Sequence, residues 1–380
     1  VSNPTWRQLE SALAELEAEI EATIDETIRK ALPVARPEPN RQVWTAYSSN
    51  ARSQVAPFTA PKAKNGDAVR LALHYILEHN ERAFLAGQDV GTYGSAFKTC
   101  KGLLERFGPE RVLDMPICEG ATVGFALGAS QVGAEPILEF QFADFSTEAT
   151  TQIGLNAGTW FFRAGRPAPI LMRLPCGGGL TMGPFHSGEF EGLWSCFPGL
   201  KLLYPATPQE TFEALLAGFY DRNPCLVLEH KLLYWSQGGS IDFDGNLADL
   251  WRPRRYTEGD KLTVVALGAM IRDVLTAAEE MGGGIEVWNP FVLRPLNLDP
   301  IRQSLSKTGR LLVVQECSPS AGIGHRLLGQ LCCEARTSLK CAPELVAAPD
   351  VPVPFAPELE SYYRPNPGKI VAAMRRLINI

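Results

Sequence analysis

Apolar residues near the start of the chain recur at spacings of three and four. Leu9, Leu13, Leu16, Ile20, Ile24, Ile28 and Leu32 form one stripe through TWRQLESALAELEAEIEATIDETIRKAL, which predicts a long amphipathic helix over 5–32. Asn3 and Pro4 read as its N-cap and first helical residue. Such a helix is expected to dock its stripe on a larger body. The stretch 33–65 breaks the pattern: PVARPEPNRQ and APFTAPKAKNG are proline-rich and polar, as an extended connector is.

From residue 67 the pattern alternates between helical and strand periods. A helix over 67–79 precedes the strand AFLAG at 83–87, and strands follow near 135–140, 169–174, 200–204 and 225–229. A second series begins at 261 with KLTVVALG, IEVWN, RLLVVQE and PELVAAP, separated by helices near 270–281, 322–335 and 368–379. Between the two series, 236–258 lacks clear periodicity and reads as the joint. The alternation implies an α/β fold, with parallel sheets carrying helices on both faces.

At 380 residues the chain exceeds one core of common size, so two domains plus extensions are expected. A net charge of -6 leaves no nucleic-acid footprint. No apolar run approaches a membrane span. The acidic, amphipathic start does not read as a signal peptide. Because the chain opens on Val1, processing or a cut upstream is expected. The nine cysteines form no CxxC pair, which disfavours zinc and favours a reduced cytoplasmic or organellar-matrix setting. Nearly all of them read as small buried hydrophobes.

The glycine triples at 177–179 and 282–284 fit neither dinucleotide nor P-loop patterns, and no GxSxG or HExxH occurs. Chemistry is therefore sought in the loops at the C-terminal ends of strands, where open α/β sheets bind ligands. The segment RVLDMPICEGATVGFALGAS, 111–130, runs through Ile117 and Cys118 into Glu119 and then a helix of small residues. One carboxylate at such a junction suits a buried acid close to a flat organic cofactor. A helix N-terminal Glu favoured by the dipole explains it as well.

Ordered motifs sharpen this. GQDVG, GLLERFGPERVLDMPICE, EFQFADF, PFHSGEFEG, FPGLKLLYPATPQE, DRNPCLVLEHKLLY, LRPLNLD and DVPVPFAPELESYYRPNPGKI occur in sequence over 66–380. Together they resemble the beta subunit of the thiamine-diphosphate-dependent decarboxylase component of 2-oxo acid dehydrogenase complexes, in the transketolase superfamily. EIEATIDETIRKALPVARPEP with VWTAYSS resembles the alpha subunit's last helix and tail, which suggests the C-terminal part of a fused alpha–beta chain.

The resemblance implies an alpha-like helix and tail at 1–48, a linker at 49–65, a pyrimidine-binding domain at 66–245 and a transketolase C-terminal-like domain at 255–380. It implies oxidative decarboxylation of a 2-oxo acid, with acyl transfer to a lipoyl group on a transacylase partner. Glu119 matches the catalytic glutamate, whose carboxyl group bonds a ring nitrogen of the aminopyrimidine and stabilises its imino tautomer; a dry site would raise its pKa. Phe145 matches the aromatic that stacks on that ring, and Ile117 lines the same pocket. Phe140 and Phe142 read as packing. His186 matches the histidine facing the reactive carbon, with Ser187 and Glu191 fixing its loop. His74, His79, His230 and His325 keep structural readings. Asp221 and Asn223 fall where relatives build a monovalent-cation site, for K⁺ among others, largely from main-chain oxygens; a helix-ending turn explains DRNP equally well.

Three departures stand out. Gln88 occupies the place of a glutamate thought to join an acidic path between paired active sites. The histidine frequent before the PG pair is replaced around Ser195–Cys196. The segment at 288–291 is changed to WNPF. Mg²⁺ and the diphosphate need a GDG…N cradle that relatives carry on the alpha side. The DGN at 244–246 lacks that context, so the chain is expected to supply the pyrimidine half of the site alone. The expected partners are an alpha-type diphosphate-binding domain, fused or separate, a second copy of the chain across the small residues Gly124, Ala126, Gly128 and Ala129, and the lipoyl-bearing transacylase. An acetoin-cleaving or transketolase-like acyl-transfer enzyme is the nearest alternative, and a non-catalytic scaffold subunit the alternative of another kind.

Overall fold

The computed structural model describes residues 6–31, 45–49, 51–236, 238–334 and 339–379. The chain divides into two compact units, 1–45 and 46–380. In the first, one helix runs over Trp6–Ala31. Its stripe residues Leu9 through Ile28 are 42–58% exposed. The expected cap at Asn3 and Pro4, Leu32 and most of the following tail lie outside the described residues.

The second unit is built on two sheets. The larger has seven strands in the order Val292–Arg294, Lys201–Leu203, Pro224–His230, Ile170–Cys176, Glu135–Glu139, Ala83–Gly87, Val112–Asp114. All run parallel except Val292–Arg294, which pairs antiparallel at the edge. This edge strand comes from the second half of the chain, which local periodicity does not reveal. Strand burial explains the apolar runs: every residue of Ala83–Gly87, Glu135–Glu139, Ile170–Cys176 and Pro224–His230 is buried, as in sheets covered on both faces. The helices Asn65–His79 and Pro208–Tyr220 pack together on one face, and Glu119–Gln131 packs on the other against Glu135–Glu139.

The smaller sheet has the order Glu344–Val346, Leu311–Val314, Leu262–Ala266, Ile285–Asn289, Arg254–Arg255, parallel except for the last pair. Two segments expected to be irregular pair with each other. Phe58–Ala63 and Gly239–Phe243 form an antiparallel two-stranded ribbon. Neither is strongly apolar; the pairing is long-range, so neither strand carries a local signal.

The cysteines divide more evenly than expected. Cys100, Cys176, Cys225 and Cys317 are buried, but Cys118, Cys196 and Cys333 are exposed and Cys332 and Cys341 are intermediate. All nine are unpaired.

Candidate active site

Four adjacent parallel strands place the candidate residues at one end of the larger sheet. Gln88 follows Ala83–Gly87, Glu119 follows Val112–Asp114, Phe145 follows Glu135–Glu139 and His186 follows Ile170–Cys176. Glu119 is the first residue of its helix, where the dipole favours a negative charge. Gln88 Nε2 donates to Glu119 Oε1 at 3.0 Å. Behind the pair lies a cavity of about 10 Å³, lined by Gln88, Glu119, Thr122, Leu138, Glu139 and Phe140, with room for about one water. The dry site expected around Glu119 is not built by this chain alone: Glu119 is half-buried, Cys118 is exposed and Ile117 is 83% exposed.

His186 stands against two aromatic rings rather than one. Phe142 meets it edge-on at 4.5 Å between ring centres and Phe145 edge-on at 5.6 Å. Phe142, expected to be simple packing, is therefore the nearer contact, while Phe140 is core. Asp144 is buried beneath the same turn and accepts the Gly188 N–H at 3.0 Å. Burial pushes its carboxyl upward, opposed by that hydrogen bond and by the Lys231 charge.

The glycine run before His186 has a structural cause. Gly177 has φ +82°, and a Cβ there would lie 2.1 Å from His230 Nε2. Gly177 N–H donates to the Gly188 carbonyl at 3.0 Å, and the donors that follow are engaged by carboxylates. Gly178 N–H donates to Glu316 Oε1 at 2.6 Å, Gly179 N–H to Glu360 Oε1 at 2.7 Å and Thr181 N–H to Glu360 Oε2 at 2.8 Å. The run thus cradles carboxylates of the chain itself, and both come from its second half.

Below the loop sits a buried charged cluster. Leu232 N–H donates to His230 Nδ1 at 3.3 Å, which leaves Nε2 to donate to Glu316 Oε2 at 3.1 Å. Burial keeps His230 below its ordinary pKa. Burial alone would raise Glu316, yet His230 and the Arg364 guanidinium, 2.6 Å away, hold it below the usual carboxylate range. Glu189 accepts from the Tyr204 hydroxyl at 2.7 Å and is pushed well up by burial and by the charges of Glu191 and Glu316. Glu191 is pushed up to about 7, mainly by burial. Ser187 is buried, and its Oγ has no hydrogen-bond partner among the described residues.

A second buried network supports the strand ends. Arg173 is fully buried, binds Glu229 through Nε and Nη2 at 2.8 Å each, and pairs with Glu139 through Nη1. Bidentate geometry is what lets a buried guanidinium offset its desolvation.

Asp221 and Asn223 lie apart from the strand-end residues, after the helix Pro208–Tyr220 and before the strand Pro224–His230. Lys201 Nζ sits 2.5 Å from Asp221 Oδ2, and Asn223 Nδ2 donates to Asp221 Oδ1 at 2.6 Å. Asn223 Oδ1 also accepts the Ser48 N–H at 2.7 Å. The Lys201 ammonium thus pairs with the side-chain carboxylate, and the expected cation site would rest on the main-chain oxygens of this turn. The two side chains close the helix end onto Ser48.

Sequence reasoning missed Phe142, Asp144, His230, Glu316, Glu360 and Arg173. Phe142 and Asp144 had a signal, since both lie within the FQFADF motif. The others meet their charged partners across 34 residues or more, and nothing local marks them.

The fold and the strand-end residues define a two-domain enzyme subunit of transketolase architecture. Residues 62–236 match the transketolase pyrimidine binding domain and 253–370 the transketolase C-terminal domain. The chain is 35% identical over 317 residues to the 2-oxoisovalerate dehydrogenase subunit beta of Bacillus subtilis (strain 168), covering 82% of this chain and 97% of that protein. It is 33% identical over 309 residues to the pyruvate dehydrogenase E1 component subunit beta of Staphylococcus epidermidis, covering 80% and 95%. The solved structure of a split-gene transketolase, an inactive beta4 tetramer, superposes with TM-score 0.62 at 21% identity, over 83% of this chain and 98% of that one. The chain belongs to the family of beta subunits of the decarboxylase component of 2-oxo acid dehydrogenases. Among the described residues no helix is long and apolar enough to cross a membrane.

Proposed function

We propose that this chain is the pyrimidine-binding half of a thiamine-diphosphate-dependent 2-oxo acid decarboxylase, working with an alpha-type partner. The observation that carries the reading is the Glu119 carboxylate, held by Gln88 at a helix start and open on its other side. An aminopyrimidine suits that opening: one carboxyl oxygen would meet its ring nitrogen, with the exposed Ile117 side chain two residues before it along the chain. Bound thiamine diphosphate would supply the carbon nucleophile and electron sink that allow a 2-oxo acid to lose CO₂. Glu119 would hold the shared proton at a pyrimidine ring nitrogen. Gln88 fixes the carboxylate rotamer without adding charge. Phe145 offers a ring face, and His186, steadied by Phe142 and Phe145, would orient the acid or a lipoyl acceptor and move a proton.

The diphosphate needs donors that the glycine run does not offer, because the Gly178, Gly179 and Thr181 N–H groups are taken by Glu316 and Glu360, and Mg²⁺ needs oxygen ligands beside it. An alpha-type domain, fused or separate, is the proposed source. On the exposed side of Glu119–Gln131, Ala121, Phe125 and Gly128 form an open stripe, whereas Ala126 faces the core. That stripe supports a covering chain, which would also dry Glu119. A lipoyl-bearing transacylase is the proposed acceptor.

The test is Glu119→Gln in the assembled enzyme, with decarboxylation followed by an artificial electron acceptor. Turnover should fall by roughly 10²–10⁴, as for loss of a proton-transferring group, with unchanged folding. Near-normal turnover would sink the assignment.

A further inference from the structure

A cavity of about 650 Å³ lies away from the strand-end site, where 293–299 meets the helix Gly324–Glu334. Its wall carries Arg294, Arg302 and Arg326 and one carboxylate, Asp299, which Arg302 engages at 2.5 Å. The other two guanidiniums converge on a neutral acceptor. Arg294 Nη1 donates to the Ser195 carbonyl at 2.9 Å, and Arg326 Nη1 to the same oxygen at 3.4 Å. The Nε groups of both are buried and without a hydrogen-bond partner among the described residues. Burial pushes the Arg326 pKa down and the charge of Arg294 acts the same way, against the opposing charges of Cys196 and Glu191.

Two like charges sharing one carbonyl in a partly desolvated wall repel each other, and an anion between them would relieve that repulsion. Guanidinium forks match the oxygens of a phosphate, and the cavity has the size of a small-molecule site. Asn297 and Gln330 add polar atoms to the wall, and the Tyr47 hydroxyl there donates to the Leu200 carbonyl at 3.1 Å and is engaged by Arg294. We propose that this cavity binds a phosphate-bearing small molecule between Arg294 and Arg326. The site is independent of the strand-end chemistry. It adjoins that chemistry through Ser195, which closes the short helix Glu191–Ser195 after the His186 loop, and through the Glu191 charge felt by Arg326.

The test uses the assembled enzyme saturated with thiamine diphosphate and Mg²⁺, so that the cofactor site does not take the probe. Inorganic phosphate is titrated at constant ionic strength against chloride, and binding is followed by calorimetry and thermal midpoint. A saturable, phosphate-specific rise in midpoint is expected. Arg326→Gln should weaken phosphate by at least about tenfold. Arg326→Glu should abolish the response and raise the midpoint without phosphate, because it pairs with Arg294. A wild-type response absent or matched by chloride overturns the proposal without reference to any variant, and so does unchanged affinity in both variants. A response in the free chain that vanishes on assembly also overturns it, because the anion is then an acidic side chain of a neighbouring subunit.

Discussion

Gln88 and Glu119 meet at 3.0 Å as an amide donor and a carboxylate acceptor, not as two carboxylates. The pair sits at the ends of two neighbouring strands, so the sheet fixes its distance. The two oxygens of Glu119 are thereby divided, with Oε1 taken by the amide and Oε2 left for a ligand.

This relationship predicts opposite results for two substitutions. Gln88→Ala removes a hydrogen bond to a charged group, about 1.5–3 kcal/mol, and should lower kcat by roughly tenfold to a hundredfold. Gln88→Glu places a second acid beside Glu119 and raises its proton affinity, so the acid limb of the kcat/KM profile should move to higher pH. A pH profile unchanged by Gln88→Glu would show that the pair does not govern the proton.

The two rings around His186 should separate by readout. Phe145→Ala is expected to weaken thiamine diphosphate binding by about tenfold through lost stacking, measured by calorimetry on the assembled enzyme. Phe142→Ala should leave cofactor affinity near normal and lower kcat, since it is the nearer support of His186 at 4.5 Å. Equal effects on both constants would contradict the division.

The second half of the chain positions the His186 loop through Glu360. Glu360→Ala strands two loop N–H groups, each at about 1–3 kcal/mol, and should make residues near 177–186 a site of limited proteolysis while kcat falls. Glu360→Gln keeps one acceptor oxygen and should recover most of the loss. Resistance of Glu360→Ala to proteolysis would rule out the anchoring role.

Glu191 supplies a pH dependence of stability. Its pKa is raised from 4.5 to about 7 in the folded chain, so the native state keeps a proton that the unfolded chain has released. The contribution is complete below about 4.5 and is lost as pH rises through about 7. Urea midpoints measured between about pH 5 and 8 should fall with pH in the wild type and flatten in Glu191→Gln. An identical slope in the variant would assign the dependence elsewhere in the cluster.

The sequence by itself determined the α/β alternation, the family and the strand-end residues Glu119, Phe145 and His186. Each is written locally: buried strands are short apolar runs, and these residues follow them within ten positions. Tertiary structure alone decided three things. It paired Phe58–Ala63 with Gly239–Phe243 and sent Val292–Arg294 to the edge of the first sheet. It brought Glu316 and Glu360 to the amides of a glycine run well over a hundred residues away. It also put Lys201 on Asp221 as an ion pair. The physical reason is common to all three. A polar group's partner is chosen by which side chains the packed core delivers within hydrogen-bond reach, and periodicity along the chain carries no record of that. The strand-to-helix junction at Glu119 could be read from its residues; the neutral amide that holds it, and the openness of its other face, could not.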